Sequence, residues 1–153
     1  MLNFSYGSNM STRYVRDYCP SAKYVMRATL PNFEIQFRRF STDLNGGIST
    51  IIEAPGQRVE GVIYDIPEKE ILELDILEDL PLGLYRRDSF LVLGEDQQWH
   101  TADLYRVVKP EGPFAPSAKY IEMMITGATE HQLSPAYIDK LKNLRPTTYP
   151  NSS

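Results

Sequence analysis

Cysteine, histidine, long hydrophobic runs and surplus basic charge are all scarce in this sequence, and each scarcity removes a class of protein. Cys19 is the only cysteine among 153 residues. It rules out an internal disulfide framework and any cysteine-based zinc site. His100 and His131 are the only histidines, and neither has a partner at metal-ligand spacing, so no metal or other cofactor is expected. There is no phosphate-binding P-loop and no G-x-G-x-x-G segment. Lys and Arg number 16 against 20 Asp and Glu, a net charge of −4. No stretch gathers enough cations to track a phosphate backbone, so nucleic acid is not an expected partner. The longest apolar runs have four residues, as in Phe90–Leu93, far below the ~18 of a membrane span. The start, Met1-Leu2-Asn3-Phe4-Ser5, lacks the basic and apolar regions of a secretory signal.

What is present is ordinary for a globular chain. Hydrophobic residues make up 42% and charged residues 24%, which excludes disorder. The length suits one domain over residues 1–153, with an irregular tail after about 146, and a cytoplasmic setting is expected.

Leu2–Tyr6 reads as a short strand ended by Gly7-Ser8-Asn9, with Ser11 opening a helix through Asp17 that Cys19-Pro20 stops. Alternation predicts strands over Ala22–Pro31, Phe33–Phe37 and Ile48–Ala54, with Ser41–Gly47 a loop. Pro55-Gly56 reads as a hairpin turn leading into Val59–Ile66. Pro67 suits the first position of a helix reaching about Asp79. Tyr85–Leu93 and Trp99–Val108 are further strands about a Gly94-Glu95-Asp96 turn. Lys109–Pro116 holds three prolines and is irregular. Helices follow over Ser117–Glu130 and Ser134–Leu144. Strict β-α-β alternation is absent, so the expected fold class is α+β, on an antiparallel or mixed sheet that can close as a barrel.

Three features bear on chemistry. The strand-to-helix junction Tyr6-Gly7-Ser8-Asn9 leaves backbone N–H groups free to cradle an anion, although a turn that merely caps the next helix looks the same. Glu78, at about 100° per residue, falls between Ile71 and Leu74 on its helix. Since Ile71, Leu72, Leu74, Ile76 and Leu77 point almost all round, that helix is expected to be mostly buried. Desolvation would then raise the Glu78 pKa toward that of a general acid or base. An exposed helix end is the alternative, and Asp75 one turn earlier is placed to position neighbours. Tyr85, Tyr105 and Tyr120 lie near element boundaries, where a hydroxyl can reach a cavity while its ring packs. Cys19, beside a proline at a helix end, reads as packing rather than as a nucleophile. The pair Gly46-Gly47 ends a loop or admits a ligand close to the backbone.

Taken in order, several segments resemble the γ-glutamylcyclotransferase family. They are Tyr6-Gly7-Ser8-Asn9 after a strand, Gly46-Gly47-Ile48-Ser49-Thr50-Ile51, Val62-Ile63-Tyr64, and Leu74-Asp75 followed by Glu78. Pro116-Ser117 before Tyr120, Gly127-Ala128 with Glu130, Leu133, Tyr137 and Lys140-Leu141 complete the set. The resemblance implies a small mixed β-barrel flanked by helices. It also implies an enzyme that turns a γ-glutamyl amino acid or amine into 5-oxoproline and the free amine, with no cofactor. Carried over by position, Glu78 is the catalytic group. Asn3, Phe4, Ser5, Tyr6, Gly7 and Ser8 bind substrate, and Tyr105 and Tyr120 line the pocket. The expected partner is a small γ-glutamyl substrate, neither nucleic acid nor membrane, and a homodimer is compatible with it. One departure stands out: the family commonly has Gly after this glutamate, and Asp79 stands here. A binding protein of the same fold that holds an amino-acid-like ligand without turnover is the alternative reading.

Overall fold

A turn over Thr42–Asn45, with Asn45 at φ 50°, folds the two longest strands onto each other in this computed structural model, which describes residues 1–146. Strand β2 (Lys23–Ser41) pairs antiparallel with β3 (Gly46–Asp65), from Ser41 opposite Gly46 to Lys23 opposite Asp65. The expected hairpin at Pro55-Gly56 is not there. The register instead jumps from Pro31 opposite Arg58 to Phe33 opposite Glu53, so residues 54–57 bulge across from Asn32. Asn32 and Gly56 both take positive φ, and the Gly56 N–H donates to Asn32 Oδ1 at 3.1 Å. Both apolar halves of β3 find partners on the same strand, Ile51 opposite Ile35 and Val59 opposite Leu30. A reversal at Pro55 would take one half from its partner. For the same reason the expected strands Ala22–Pro31 and Phe33–Phe37 are a single strand, continuous through Asn32 opposite the bulge of β3.

Strand β1 (Leu2–Ser5) lies antiparallel to β3, with Phe4 opposite Ile63, and parallel to β5 (Trp99–Val107) at Asn3 and Asp103. β4 (Tyr85–Gly94) pairs antiparallel with β5 and with β2. The order β1-β3-β2-β4-β5 therefore closes as a mixed barrel, the α+β class expected from the sequence. Successive residues of Val62-Ile63-Tyr64 point to opposite faces. Ile63 joins Phe4, Leu30, Val59, Val92 and Leu104 in one core cluster, while Val62 and Tyr64 join Ile71, Ile121, Met124 and Leu141 in a second that takes in the helices.

Around the barrel lie α1 (Thr12–Tyr18), α2 (Glu68–Leu77), α3 (Ala118–Glu130) and α4 (Pro135–Lys142). Ser134 caps α4, and Ser117 caps α3 rather than lying within it, each accepting an N–H three residues on, from Tyr137 at 3.3 Å and from Tyr120 at 3.2 Å. Asn143 and Leu144 close α4 as a turn rather than extending it. Gly127 lets α3 approach the chain after β1: an added Cβ would lie 2.6 Å from the Ser11 nitrogen. Pro67 is the cap of α2 rather than its first residue.

The expectation of a mostly buried α2 is overturned. Ile71 and Leu74 are buried, but Leu72, Ile76 and Leu77 are 53%, 66% and 48% exposed. The helix meets the barrel along one stripe only, and apolar character all round does not bring a second layer to cover its outer side. No helix among the described residues is long and apolar enough to cross a membrane. The tail after about 146, expected to be irregular, lies outside the described residues.

Candidate active site

The junction after β1 forms one wall of the site. Tyr6 is buried, and its hydroxyl donates to the Tyr105 carbonyl, which fixes the loop against β5. Ser8–Met10 makes a 3-10 turn, with the Met10 N–H donating to the Gly7 carbonyl at 3.2 Å. Gly7 has φ −108°, so a glycine is required here by space and not by an angle closed to other residues. A Cβ would lie 2.9 Å from Ser49 Oγ and 3.1 Å from Tyr120 Oη. Those two hydroxyls are themselves hydrogen-bonded at 2.8 Å, and the Ser49 N–H donates to Tyr120 Oη at 3.3 Å. Ser11, the cap of α1, makes no capping bond with its side chain and donates instead to Glu130.

Glu78 ends α2 on the stripe that carries Ile71 and Leu74, as its place on the helical wheel predicts. Its carboxyl is pushed up from the ordinary 4.5 to about 7, chiefly by burial. The neighbouring Asp79 charge adds to the rise, and Arg39 opposes it. A carboxyl with this affinity exchanges protons readily near neutral pH.

Glu78 and the Tyr6–Asn9 loop line a common cavity of about 460 Å³, well sized for a small metabolite. Every residue expected to bind substrate, Asn3, Phe4, Ser5, Tyr6, Gly7, Ser8, Tyr105 and Tyr120, borders it. Their contributions differ. Phe4 belongs to the barrel core cluster and brings no polar side chain. Asn3 is buried, and its Nδ2 is the one buried side-chain polar atom without a hydrogen-bond partner among the described residues. Its Oδ1 accepts from Ser5 Oγ at 3.2 Å. A buried, unpaired donor on a cavity wall is costly unless a ligand meets it.

The Tyr105 hydroxyl is already engaged: it donates to Asp75 Oδ1 at 2.6 Å. Asp75 in turn accepts from Arg87 at 2.9 and 3.2 Å, and Arg87 also pairs with Asp103. Burial, followed by this bond to Asp75, raises the Tyr105 pKa far above its ordinary value. Tyr85 lies on the cavity wall with the Arg39 guanidinium 5.2 Å above its ring centre.

Asn9, the last residue of the expected loop, borders the cavity too, and sequence reasoning alone did not find Asp43, Lys119 or Met123, which also border it. Lys119 is the one cation of the lining among the described residues. Its position beside Tyr120, in the first turn after the Ser117 cap, was the available signal. Gly46 and Gly47 admit no ligand. A Cβ on Gly46 would lie 2.5 Å from the Ser117 nitrogen, and one on Gly47 would lie 2.8 Å from Phe37 Cβ. Cys19 is buried with its thiol pushed up to about 11, which suits packing and not nucleophilic attack. Among the described residues no three His, Cys, Asp or Glu side chains are grouped to hold a metal ion.

Comparison with known proteins follows the same lines. A family model described as the AIG2-like family matches residues 58–141. The γ-glutamylcyclotransferase of Mus musculus is 32% identical over 152 residues, covering 97% of this chain and 80% of the relative. That of Bos taurus is 31% identical over the same shares. A solved structure titled γ-glutamyl cyclotransferase superposes with a TM-score of 0.91 at 29% identity, covering 99% of this chain and 91% of the other.

Proposed function

Because this chain belongs to the AIG2-like, γ-glutamylcyclotransferase family, we propose that it converts a γ-glutamyl amino acid into 5-oxoproline and the free amino acid, with Glu78 moving the protons. The protein is an enzyme of the cyclotransferase type, and its own residues account for each demand of that reaction. The substrate α-amine attacks its γ-carbonyl carbon. A C–N bond forms to close the five-membered ring, and the C–N bond to the leaving amine breaks. Because the nucleophile is part of the substrate, holding the chain bent can supply about 7–11 kcal/mol of the barrier.

Two proton movements remain. The α-nitrogen, which attacks as the free amine, must lose a proton as the ring closes, and the leaving nitrogen must gain one. Glu78 accepts the first as base and returns it as acid, a cycle favoured by a carboxyl at about 7. The oxyanion that develops on the γ-carbonyl needs donors already aimed at it. The backbone of the Tyr6–Asn9 loop supplies them on the cavity wall it shares with Glu78. Asn3 Nδ2, unpaired in the free protein, donates to an acceptor oxygen of the γ-glutamyl moiety. Lys119, the lining cation, receives the carboxylate of the leaving amino acid, and this favours γ-glutamyl amino acids over simple γ-glutamylamines.

The observation that carries this reading is a half-buried, protonatable carboxylate sharing one cavity with a hydroxyl-braced glycine loop. A protein that only held its ligand would gain nothing from burying such a group. The test is release of 5-oxoproline from a panel of γ-glutamyl dipeptides and γ-glutamylamines, with Glu78→Gln assayed beside the wild type. Release by the wild type and loss of at least 100-fold in the variant is expected. Silence of the folded wild type across the panel, or near-normal turnover by the variant, refutes the assignment.

A further inference from the structure

Asp79 follows the acid–base residue directly and occupies a left-handed backbone position, φ 58°. Glycine adopts that conformation without cost, and Asp is among the few other residues that tolerate it. Its backbone organises the descent from α2 to β4, because its carbonyl accepts the N–H groups of Leu82 at 3.2 Å and Leu84 at 3.3 Å. Its side chain turns to the barrel, where Asp79 Oδ2 meets Arg39 Nη2 at 3.3 Å. Arg39 stands on β2, 40 residues away in sequence, and both partners are only partly exposed, at 28% and 37%. The same guanidinium sits 5.2 Å above the ring centre of Tyr85, which borders the cavity with Glu78. Arg39 thus ties together the end of α2, strand β2 and the first residue of β4 around the acid–base group.

We propose that Arg39 and Asp79 act as a pair of positioning residues that clamps the Glu78 corner to β2, holds Tyr85 in the cavity wall, and balances one charge against the other beside Glu78. This rests on the assignment of Glu78 as the proton-transfer group. Six titratable or charged groups face that carboxyl. Tyr6 comes from β1's junction, Arg39 from β2, Tyr85 from β4, Tyr105 from β5 and Tyr120 from α3, with Asp79 beside it in the chain. The tyrosines are neutral across the working range because burial raises each of them. Of these six only Arg39 and Asp79 carry formal charge, and they act in opposite directions; Lys119 and Asp43 are the other charged groups that border the cavity. The native pair therefore leaves burial the leading influence on when Glu78 holds its proton, each charge of the pair offsetting the other.

The test is the pH profile of kcat/KM for 5-oxoproline release by the chain, which reports the groups of the free enzyme, comparing Asp79→Asn, Arg39→Gln and the double variant. With Glu78 at about 7, wild type at pH 6 should run at about one tenth of its plateau. Asp79→Asn leaves Arg39 unbalanced, which favours ionised Glu78, so the acid limb moves to lower pH and that fraction rises. Arg39→Gln leaves Asp79 unbalanced, so the limb moves to higher pH and the fraction falls. The double variant returns toward wild type. A purely structural role would move both single variants alike or neither. Arg39→Lys keeps the charge but loses the planar contact with Tyr85, so the limb should stay while kcat drops. Asp79→Gly, which fits φ 58° without strain, serves if the Asn variant folds poorly and should shift in the same direction. Shifts of equal sign, or no shift in folded and active single variants, overturn the proposal. Glu78→Gln separates the two ideas: if it retains turnover, the assignment of Glu78 itself is wrong, whereas its loss of turnover with unmoved profiles condemns only the pair.

Discussion

Replacing Glu78 by Gln should make this protein more stable as it makes it inactive. The carboxyl lies at about 7 in the folded chain against an ordinary 4.5. At about 1.36 kcal/mol per tenfold change in proton affinity, ionised Glu78 costs the fold about 3 kcal/mol. The sign follows from proton linkage. Below pH 4.5 the group is neutral in both folded and unfolded chains and contributes no difference. Between 4.5 and about 7 the unfolded chain has released the proton that the folded chain still holds, so wild-type stability falls as pH rises. Above about 7 the loss is complete. Gln is nearly isosteric and neutral throughout, so the variant should match wild type near pH 4.5 and exceed it by about 3 kcal/mol at pH 8. Urea unfolding at both pH values measures this directly, with the slope checked for constancy. A variant that is no more stable than wild type at pH 8 would falsify the claim that burial raises Glu78. A less stable variant would mean that its ionised form is held by bonds the geometry does not contain. Gain of stability with loss of turnover also removes misfolding as an explanation for inactivity.

Three other substitutions probe the walls of the cavity. Gly7→Ala drives a methyl to within 2.9 Å of Ser49 Oγ and 3.1 Å of Tyr120 Oη; kcat/KM should fall at least tenfold with far-UV circular dichroism unchanged, and wild-type kinetics would show that the loop has slack. Tyr105→Phe removes a hydroxyl already spent on Asp75. The variant should lose about 1–2 kcal/mol of stability, while kcat stays within a few-fold; a collapse of kcat would give that hydroxyl a chemical role. Lys119→Gln should raise KM for γ-glutamyl amino acids and leave γ-glutamylamines unchanged. Equal changes for both would place the lysine against the glutamyl half instead.

Much of the local structure was legible because its causes lie within a few residues. The strands on either side of the Gly94-Glu95-Asp96 turn and the helices that begin about Ser117 and Ser134 follow from side chains and their immediate neighbours. The errors share one origin. Pro55-Gly56 carries the chemistry of a reversal, yet partners on β2 for both flanking segments turned it into a bulge. Leu72, Ile76 and Leu77 gave α2 the look of a buried helix, yet among the described residues they stay exposed. Gly7 was legible as a special residue, but the reason, two hydroxyls from β3 and α3 pressing on it, was not.

The position of Glu78 on an apolar stripe, the glycine loop after the first strand, and the order of motifs that marks the family were determined by the sequence itself. Proton affinity is another matter, since it depends on everything within a few ångströms. Closure of the barrel at Asn3 and Asp103, the meeting of Arg39 with Asp79, the engagement of Tyr105 by Asp75, and the choice of Lys119 as the lining cation join residues tens of positions apart. Periodicity and capping act over one or two turns of chain. Burial and charge act through space, so only the folded chain decides what Glu78 faces and how tightly it holds its proton.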